Sequence, residues 1–458
     1  MSRAHRRRDR GLALIVVLFL SALLTLLMYS FLREMQVEYS LASSSGREAQ
    51  ARHLAWSAVE KAMVVLAAET SPVATPTSTW VDDAVEWYEV ELGDGVFSMI
   101  RMTPEADGKL RYGILDEASK INLNTAPRDV LLKLPKATEE IVDSMVDWRD
   151  PDENPLAAGA ENSYYQALPT PYRCKNAAFT TVEELLLVKG MTPEILYGED
   201  WNQNGLLDAN ENDGDKSPPA DNADGTLDFG FVAFLTVHSY DRNVRNDGQP
   251  RVNINTAQPD QLQQALGDVL TPQELQQIPT RRPYISVAHL LPAIPPPKWK
   301  QIVDRVTTMD GAQVPGLVNI NTASKKVLEM MPGLTADDIT KIVAHRTQEG
   351  AELSTIGWLA DVLTVDKVQS IGMAVTTRSY QYRFDVVARI GPKSEREATT
   401  TTVKTMDPSA APPPARVMRR LAVIFDRGGQ GGGRIVYARD ITRLGQPYPV
   451  EEPEGTGR

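Results

Sequence analysis

Between Leu12 and Leu32 the chain reads LALIVVLFLSALLTLLMYSFL, 21 residues without a single charge. A helix rises about 1.5 Å per residue, so this run matches the roughly 30 Å hydrocarbon core of a bilayer and exceeds the roughly 7–15 residues of a secretory h-region. No small-residue A-x-A cleavage site follows it. Arg3, Arg6, Arg7, Arg8 and Arg10 precede it. The positive-inside rule then holds the N-terminus in the cytoplasm and sends the large remainder across. The expected topology is a single pass of the inner (cytoplasmic) membrane with a periplasmic bulk.

Beyond that span, a chain of 458 residues has room for two or three domains of ordinary size. The single cysteine, Cys174, allows no intrachain disulfide, so something other than an S–S bond must fix the loops. The formal charge is −12, and because the first ten residues hold five arginines against one aspartate, the rest of the chain carries −16. Such a balance repels a phosphate polymer, and no nucleic-acid partner is expected.

After the span, REMQVEYSLASSSGREAQARHLAWSAVEKAMVVLAAE keeps apolar residues at helical spacing. One long helix is predicted, half in lipid and half packed on a domain. Gly46 is a bend point, and the Thr/Pro-rich stretch Ser71–Thr79 is the stop. WYEVELGDGVFSMIRMTP alternates around GDG as a hairpin does, and KLRYGILDEASKINLN reads as the next strand. SYQYRFDVVARIG, EATTTTVKTMD, RVMRRLAVIFDR and GRIVYARDI form a returning antiparallel set between PSAAPPPA and GGQGGG breaks, and the last residues, YPVEEPEGTGR, read as disordered.

Between these sheet segments lies an internal repeat. INLNTAPRDVLLKL, VNINTAQPDQLQQAL and VNINTASKKVLEMM share an N-x-N-T-A opening in which Thr125, Thr256 and Thr322 are placed to cap a short amphipathic helix. Each unit closes on a second signature, FTTVEELLLVKGMT, YISVAHLL or LSTIGWLADVL. The offsets of 58, 32 and 35 residues give the first unit an insertion of about 25, which holds DWRDPDENPLAAGAENSYYQALPTPYR. In the third unit VLEMMPGLTADDITKIVAHR has the shape of a helix-hairpin-helix. Only Gly333 of a G-h-G hairpin is present, Thr335 standing at the second position, so the packing module is preferred to a phosphate-binding one.

Asp200–Glu211, DWNQNGLLDANE, meets D-x-[DN]-x-[DN]-G-x5-E at every specified position. Calcium takes six to eight oxygens, and this spacing offers Asp200, Asn202, Asn204, the Leu206 carbonyl, Asp208 and a bidentate Glu211, with Gly205 at the sharp turn. Pro218 and Pro219 exclude the exiting helix of an EF-hand. Ten acidic residues between Glu194 and Asp228 face only Lys216, so a cation would serve as the missing staple. In the earlier insertion Asp147, Asp150, Asp152 and Glu161 form either another site or a solvated turn. HExxH, GxSxG and GxxxxGK[ST] do not occur, and no enzymatic activity is expected.

The basic head, Gly11 and the unbroken apolar run resemble a type IV pilin or type II secretion pseudopilin leader, which prepilin peptidase would cut after Gly11 to leave a methylated Leu12. The alternative is an uncleaved signal anchor. Together with KINLNTAP, DWRDPDENP followed by GAENSYY and PYR, and FTTVEELLLVKGMTPE, most of residues 1–390 is similar to the minor pseudopilin K family of type II secretion (general secretion pathway). The resemblance implies an α+β protein: a pilin-like long helix with a small antiparallel sheet, interrupted by a large α-helical insertion domain with helix-hairpin-helix-like repeats. It also implies calcium in the insertion. It implies a place at the tip of the periplasmic pseudopilus, beside the I and J type minor pseudopilins and the major pseudopilin, supporting export of folded proteins across the outer membrane. Pilins place Glu at the fifth mature residue; here that residue is Val16, as is typical of the K subunit. The long acidic loop and the Gly-rich C-terminal stretch depart from the family pattern.

The expected organisation is a leader at 1–11, a span at 12–32, pilin-like helix and first strands at 33–120, the α-helical domain at 121–375, returning strands at 376–445 and a tail at 446–458. A membrane-anchored helix-hairpin-helix DNA receptor of the competence type is the alternative function, and the acidic balance and broken glycine hairpin count against it.

Overall fold

The computed structural model describes residues 3–104, 109–391, 417–429, 432–445 and 447–448. EATTTTVKTMD, PSAAPPPA and the tail beyond Tyr448 lie outside them. One helix runs from Arg3 to Ala68, passing through Gly46 without interruption. Its side chains from Leu14 to Tyr39 are exposed, and this half is long and apolar enough to cross a membrane. The other half is built differently. Ala51, Leu54, Ala55, Ala58, Val59, Ala62 and Leu66 recur every three or four positions, and all are buried. Four of these seven are alanines, which let the helix lie close on the sheet beneath it.

That sheet is antiparallel, in the order Val90–Leu92, Gly95–Ile100, Gln381–Ile390, Val417–Asp426 and Arg434–Asp440, with Leu115–Asp116 paired beside Gly95–Ile100 on the start of the central strand. The GDG hairpin forms as expected, Leu92 opposite Gly95. The third expected strand is instead two pairs of residues, Leu115–Asp116 and Ile121–Asn122, separated by a 3-10 turn that Asp116 caps. Phe97, Met99, Val386, Ala388, Val423 and Phe425 pack against the helix in one core. Tyr448 belongs to that core at 1% exposure, with Arg389 over its ring, so the disorder expected of the tail does not begin before it.

A second, larger core fills the segment between the sheet strands. Here the repeat is visible as structure. Each unit opens on a two-residue strand, Ile121–Asn122, Val252–Asn253 or Val318–Asn319, and ends on a parallel partner, Leu235–Thr236, Val306–Thr307 or Val375–Thr376. Two helices lie between, as in Lys325–Met330 and Ala336–Arg346, and then a 3-10 turn from the closing signature. The two asparagines of N-x-N-T-A divide the work. The first closes an Asx turn by accepting from the N–H two residues on. The second pins the closing signature: Asn124 exchanges two bonds with Phe179, Asn255 two with Tyr284, and Asn321 donates to the Leu353 carbonyl.

The threonines do not cap the helices. Pro127, Gln258 and Ser324 occupy those positions, two residues later, and each threonine N–H instead donates to the carbonyl of the first asparagine. An arginine at the end of the second helix, or two residues past it in the middle unit, completes each unit. Arg149 holds the Leu123 and Ala126 carbonyls, Arg282 those of Ile254 and Ala257, and Arg346 those of Ile320 and Ala323.

The two cores meet at Asp116, which is 2% exposed. Its carboxylate accepts from Asn319 Nδ2 at 2.9 Å, Thr322 Oγ1 at 2.6 Å, the Ala118 N–H at 2.8 Å and Ser379 Oγ. These donors come from where the chain enters the insertion, from its third repeat and from where it leaves. Removing one member of a buried charged network costs about 3–5 kcal/mol because the others lose their partner. Asp116→Ala should therefore lower unfolding free energy by about that much in denaturant melts, whereas Asp129→Ala, on the exposed face of Arg128–Leu131, should change it by less than about 0.5 kcal/mol.

Candidate metal centres

Two acidic centres arise from the insertion, and their local chemistry differs. The first follows the helix Glu139–Arg149, which stops at Asp150 because Pro151 cannot continue it. The chain then loops back to Glu161, which precedes the short helix Asn162–Tyr165 but makes no capping bond to it. The structure brings carboxylate oxygens of Asp150, Asp152 and Glu161 within 4.8 Å of one another. Asp147 is not among them. It is fully buried and holds the loop by accepting from the Leu156 N–H, while Asp143 accepts from the Ala158 N–H.

Glu161 is 2% exposed, and neither of its oxygens meets an N–H or O–H donor, the weak Cys174 thiol being the one donor group recorded beside it. Asp150 Oδ1 is likewise buried without a donor. So is Oδ1 of Asn176, whose amide nitrogen binds the Asp152 carbonyl at 2.7 Å. Burial, with repulsion from Asp147 and Asp150, pushes the Glu161 carboxyl up to about 7. Asp152 is exposed and its Oδ1 accepts from Asn154, so the unmet acceptors are those of Glu161 and Asp150; carboxylates this close are a set that a hard cation could bind. The sequence pattern offered these three together with Asp147, which the structure turns to the Leu156 N–H instead.

The second centre is Asp200–Glu211. Asp200, Asn204, Leu206, Asp208 and Glu211 are buried, and Gly205 takes φ +74° at the turn. Asp200 accepts from the N–H groups of Asn204 (2.9 Å) and Gly205 (3.1 Å), Asn202 Oδ1 from Asn204 N–H and Asn204 Oδ1 from Leu206 N–H. Each of these oxygens keeps a lone pair. The amide nitrogens of Asn202 and Asn204 turn to Asp208 Oδ2, at 2.6 and 3.0 Å, and Glu211 accepts from the Asp208 N–H at 3.1 Å in a capping box. Burial raises Asp200 to about 6 and Glu211, with Asp200 and Asp208 repelling it, to about 8. The loop thus satisfies more of its own acceptors than the trio does, and the donor set with the strongest unmet demand is the one around Glu161. No second helix follows; Ala209–Glu211 is a single 3-10 turn.

In the helix-hairpin-helix of the third unit, Gly333 has φ +74° and Thr335 caps Ala336–Arg346 through a box with Asp338. With Asp337 beside it, the helix N-terminus is already occupied by carboxylates.

A pH dependence follows from the buried acids. Glu161 and Glu211 ionise near 4.5 when the chain unfolds but near 7 and 8 when it is folded. Below about 4.5 both states hold the protons; above it the unfolded state releases them first, so this contribution to stability declines as pH rises from about 4.5 to about 8. Chelator-treated protein should melt at lower temperature at pH 8 than at pH 5.5, and Glu161→Gln with Glu211→Gln should flatten that slope.

A family model described as "Type II secretion system (T2SS), protein K" matches residues 129–197, which include the Asp150, Asp152 and Glu161 centre. Type II secretion system protein K of Pseudomonas aeruginosa is 30% identical over 204 residues, 40% of this chain and 58% of that protein. Type II secretion system protein K of Pectobacterium carotovorum is 40% identical over 57 residues, 12% of this chain and 17% of its own length. The putative protein K of Escherichia coli K12 is 40% identical over 58 residues, 13% of this chain and 18% of its own. The chain thus spans less than two thirds of the length of these relatives. Among solved structures, the GspK-GspI-GspJ complex from enterotoxigenic Escherichia coli contains a chain 12% identical, covering 89% of this chain and 99% of that one at a TM-score of 0.42. Over residues 129–197 and the segments matched in these relatives, the chain is similar to type II secretion system protein K.

Proposed function

We propose that this protein is a minor pseudopilin of a type II secretion system, a structural and not an enzymatic component, seated at the tip of a periplasmic pseudopilus. The observation that carries the reading is the family match over the acid-bearing first repeat, in a chain whose N-terminal helix is half exposed and apolar and half packed on an antiparallel sheet. Prepilin peptidase cuts after Gly11, and Leu12 begins a helix held in the inner membrane with the bulk on the periplasmic side. The partners are the I and J type minor pseudopilins, with the major pseudopilin below.

Val16 supports the terminal position. An unpaired charge at membrane depth costs about 2.5–3.5 kcal/mol on insertion scales, so a filament shaft gains order when each subunit's carboxylate pairs with a neighbour's amine. Val16 offers no carboxylate, which suits a position where no further amine needs pairing. The insertion is a steric reason: it leaves the sheet after Asp116 and returns at Gln381, a bulk that would crowd the next turn of a shaft and is free at an end. Carboxylates at the start of Ala336–Arg346 count against the DNA-receptor reading.

Calcium is the cation the donors suit. Asp150, Asp152 and Glu161 would hold one ion, and Asp200, Asn202, Asn204, the Leu206 carbonyl, Asp208 and Glu211 another. Bound there, the ion would neutralise buried carboxylates in place of disulfides. Glu161→Gln should abolish the tighter binding event in calorimetric titration and Glu211→Gln the other, with affinities in the roughly 10⁻⁴–10⁻³ M range of extracellular modules or tighter. Calcium should raise the melting temperature of the parent chain; no change in either quantity refutes the cation reading.

For the assembly, the detergent-solubilised chain should co-purify with its I and J counterparts, and mass analysis should find a mature N-terminus at Leu12. Labelled protein spaced along pseudopili would refute the tip position.

A further inference from the structure

Arg420 lies on the strand Val417–Asp426, 0% exposed, and its guanidinium leaves the sheet for the acid loop of the insertion. Nη1 donates to the Asn202 carbonyl at 2.6 Å and to the Gly445 carbonyl at 3.3 Å; Nη2 donates to the Gln203 carbonyl at 3.4 Å and stands 3.5 Å from Asp385 Oδ1 on the central strand. The contact falls where the loop backbone is least free to hold itself. Gln203 takes φ +53°, a region that costs a non-glycine residue energy, and Gly205 follows at +74°. On the loop's other side a Cβ at Gly205 would stand 3.6 Å from the Thr103 carbonyl, just past the strand Gly95–Ile100. The loop thus lies between the segment after Gly95–Ile100 and the strand Val417–Asp426.

Its electrostatics are unbalanced. Asp200, Asp208 and Glu211 are all below 9% exposed, and the guanidinium that acts on Asp200 is that of Arg420, which also stands at Asp385. Three buried loop carboxylates beside one guanidinium leave a deficit of two charges, which a divalent ion would close.

We propose that Arg420 is a positioning residue that makes Asp200–Glu211 a calcium-dependent clasp between the helical insertion and the sheet. The proposal rests on the calcium reading of that loop. By fixing the Asn202 and Gln203 carbonyls on one face, Arg420 keeps the side-chain oxygens of Asp200, Asn202 and Asn204 turned to the other, so less ordering remains when the ion binds. Linkage makes the effect mutual: if the Arg420 contact favours calcium, calcium favours the Arg420 contact by the same factor.

The test uses the full chain in detergent, in a Glu161→Gln background so that the loop alone reads calcium, with CaCl2 as titrant and hydrogen exchange as a second readout. Calcium should slow exchange of the loop amides Asn204 and Gly205, and also of Arg420 and Ile441, whose N–H groups bond to Thr442 Oγ1 and to the Arg420 carbonyl. Arg420→Met should weaken calcium binding about tenfold, about 1.4 kcal/mol, and remove the calcium-linked protection of the strand, while Arg420→Lys should restore part of both. If calcium protects no loop amide, or Glu211→Gln leaves that protection intact, the cation reading fails and the clasp with it. If calcium protects the loop but not the strand, or either Arg420 variant binds calcium as the parent does, the clasp alone is overturned. Should Arg420→Met not fold, the Lys variant and the parent's strand protection decide the matter.

Discussion

A single buried carboxylate holds the two halves of this protein in register. Asp116 has no cation beside it among its hydrogen-bond partners; four neutral donors satisfy it instead, and burial still pushes its pKa up. Each donor belongs to a segment that must arrive at the same place for the insertion to close. Asn319 and Thr322 bring the third repeat, Ser379 the returning strand, and Ala118 the turn just after Asp116. Such a node contributes less through its bond strength than through the penalty for leaving any member unpaired, which selects one arrangement of the segments over the rest.

The insertion solves the problem of a fold with very short strands. Two-residue parallel pairs cannot hold a domain together, and the three units rely on reciprocal side-chain to backbone bonds. An asparagine pins the closing turn, and an arginine holds two carbonyls of the opening loop. These interactions satisfy backbone groups that a longer ladder would have paired. Because the arginines act from the end of the second helix, each unit is locked only when both its helices are in place.

The acidic centres follow another logic. Around Glu161 acceptors face acceptors, so the site is costly to bury without a cation or protons. Around Glu211 the asparagine amides and backbone N–H groups already answer many of the oxygens, and the remaining imbalance is one of charge. Both centres lie in loops that carry no disulfide, and Cys174, the one thiol, is buried next to Glu161.

The membrane-length helix, the hairpin, the N-x-N-T-A repeat and the carboxylates of both centres were legible in the residue order, because each depends on local periodicity or spacing. Hydrophobic pattern and turn chemistry act within about ten residues, and that is the range over which sequence reading is strong. The cap positions at Pro127, Gln258 and Ser324 were misread as Thr125, Thr256 and Thr322, since a threonine before a helix looks like a cap until the Asx turn ahead of it is known. The order of Tyr448 was not readable at all, because its burial depends on the sheet and helix that surround it. The same holds for Arg420, more than 200 positions beyond the loop it holds. Residue order thus determined which elements form and which oxygens are available. Only the tertiary structure decided which oxygens lack donors and which arginine answers which loop, because burial and pairing are properties of the folded neighbourhood and not of spacing along the chain.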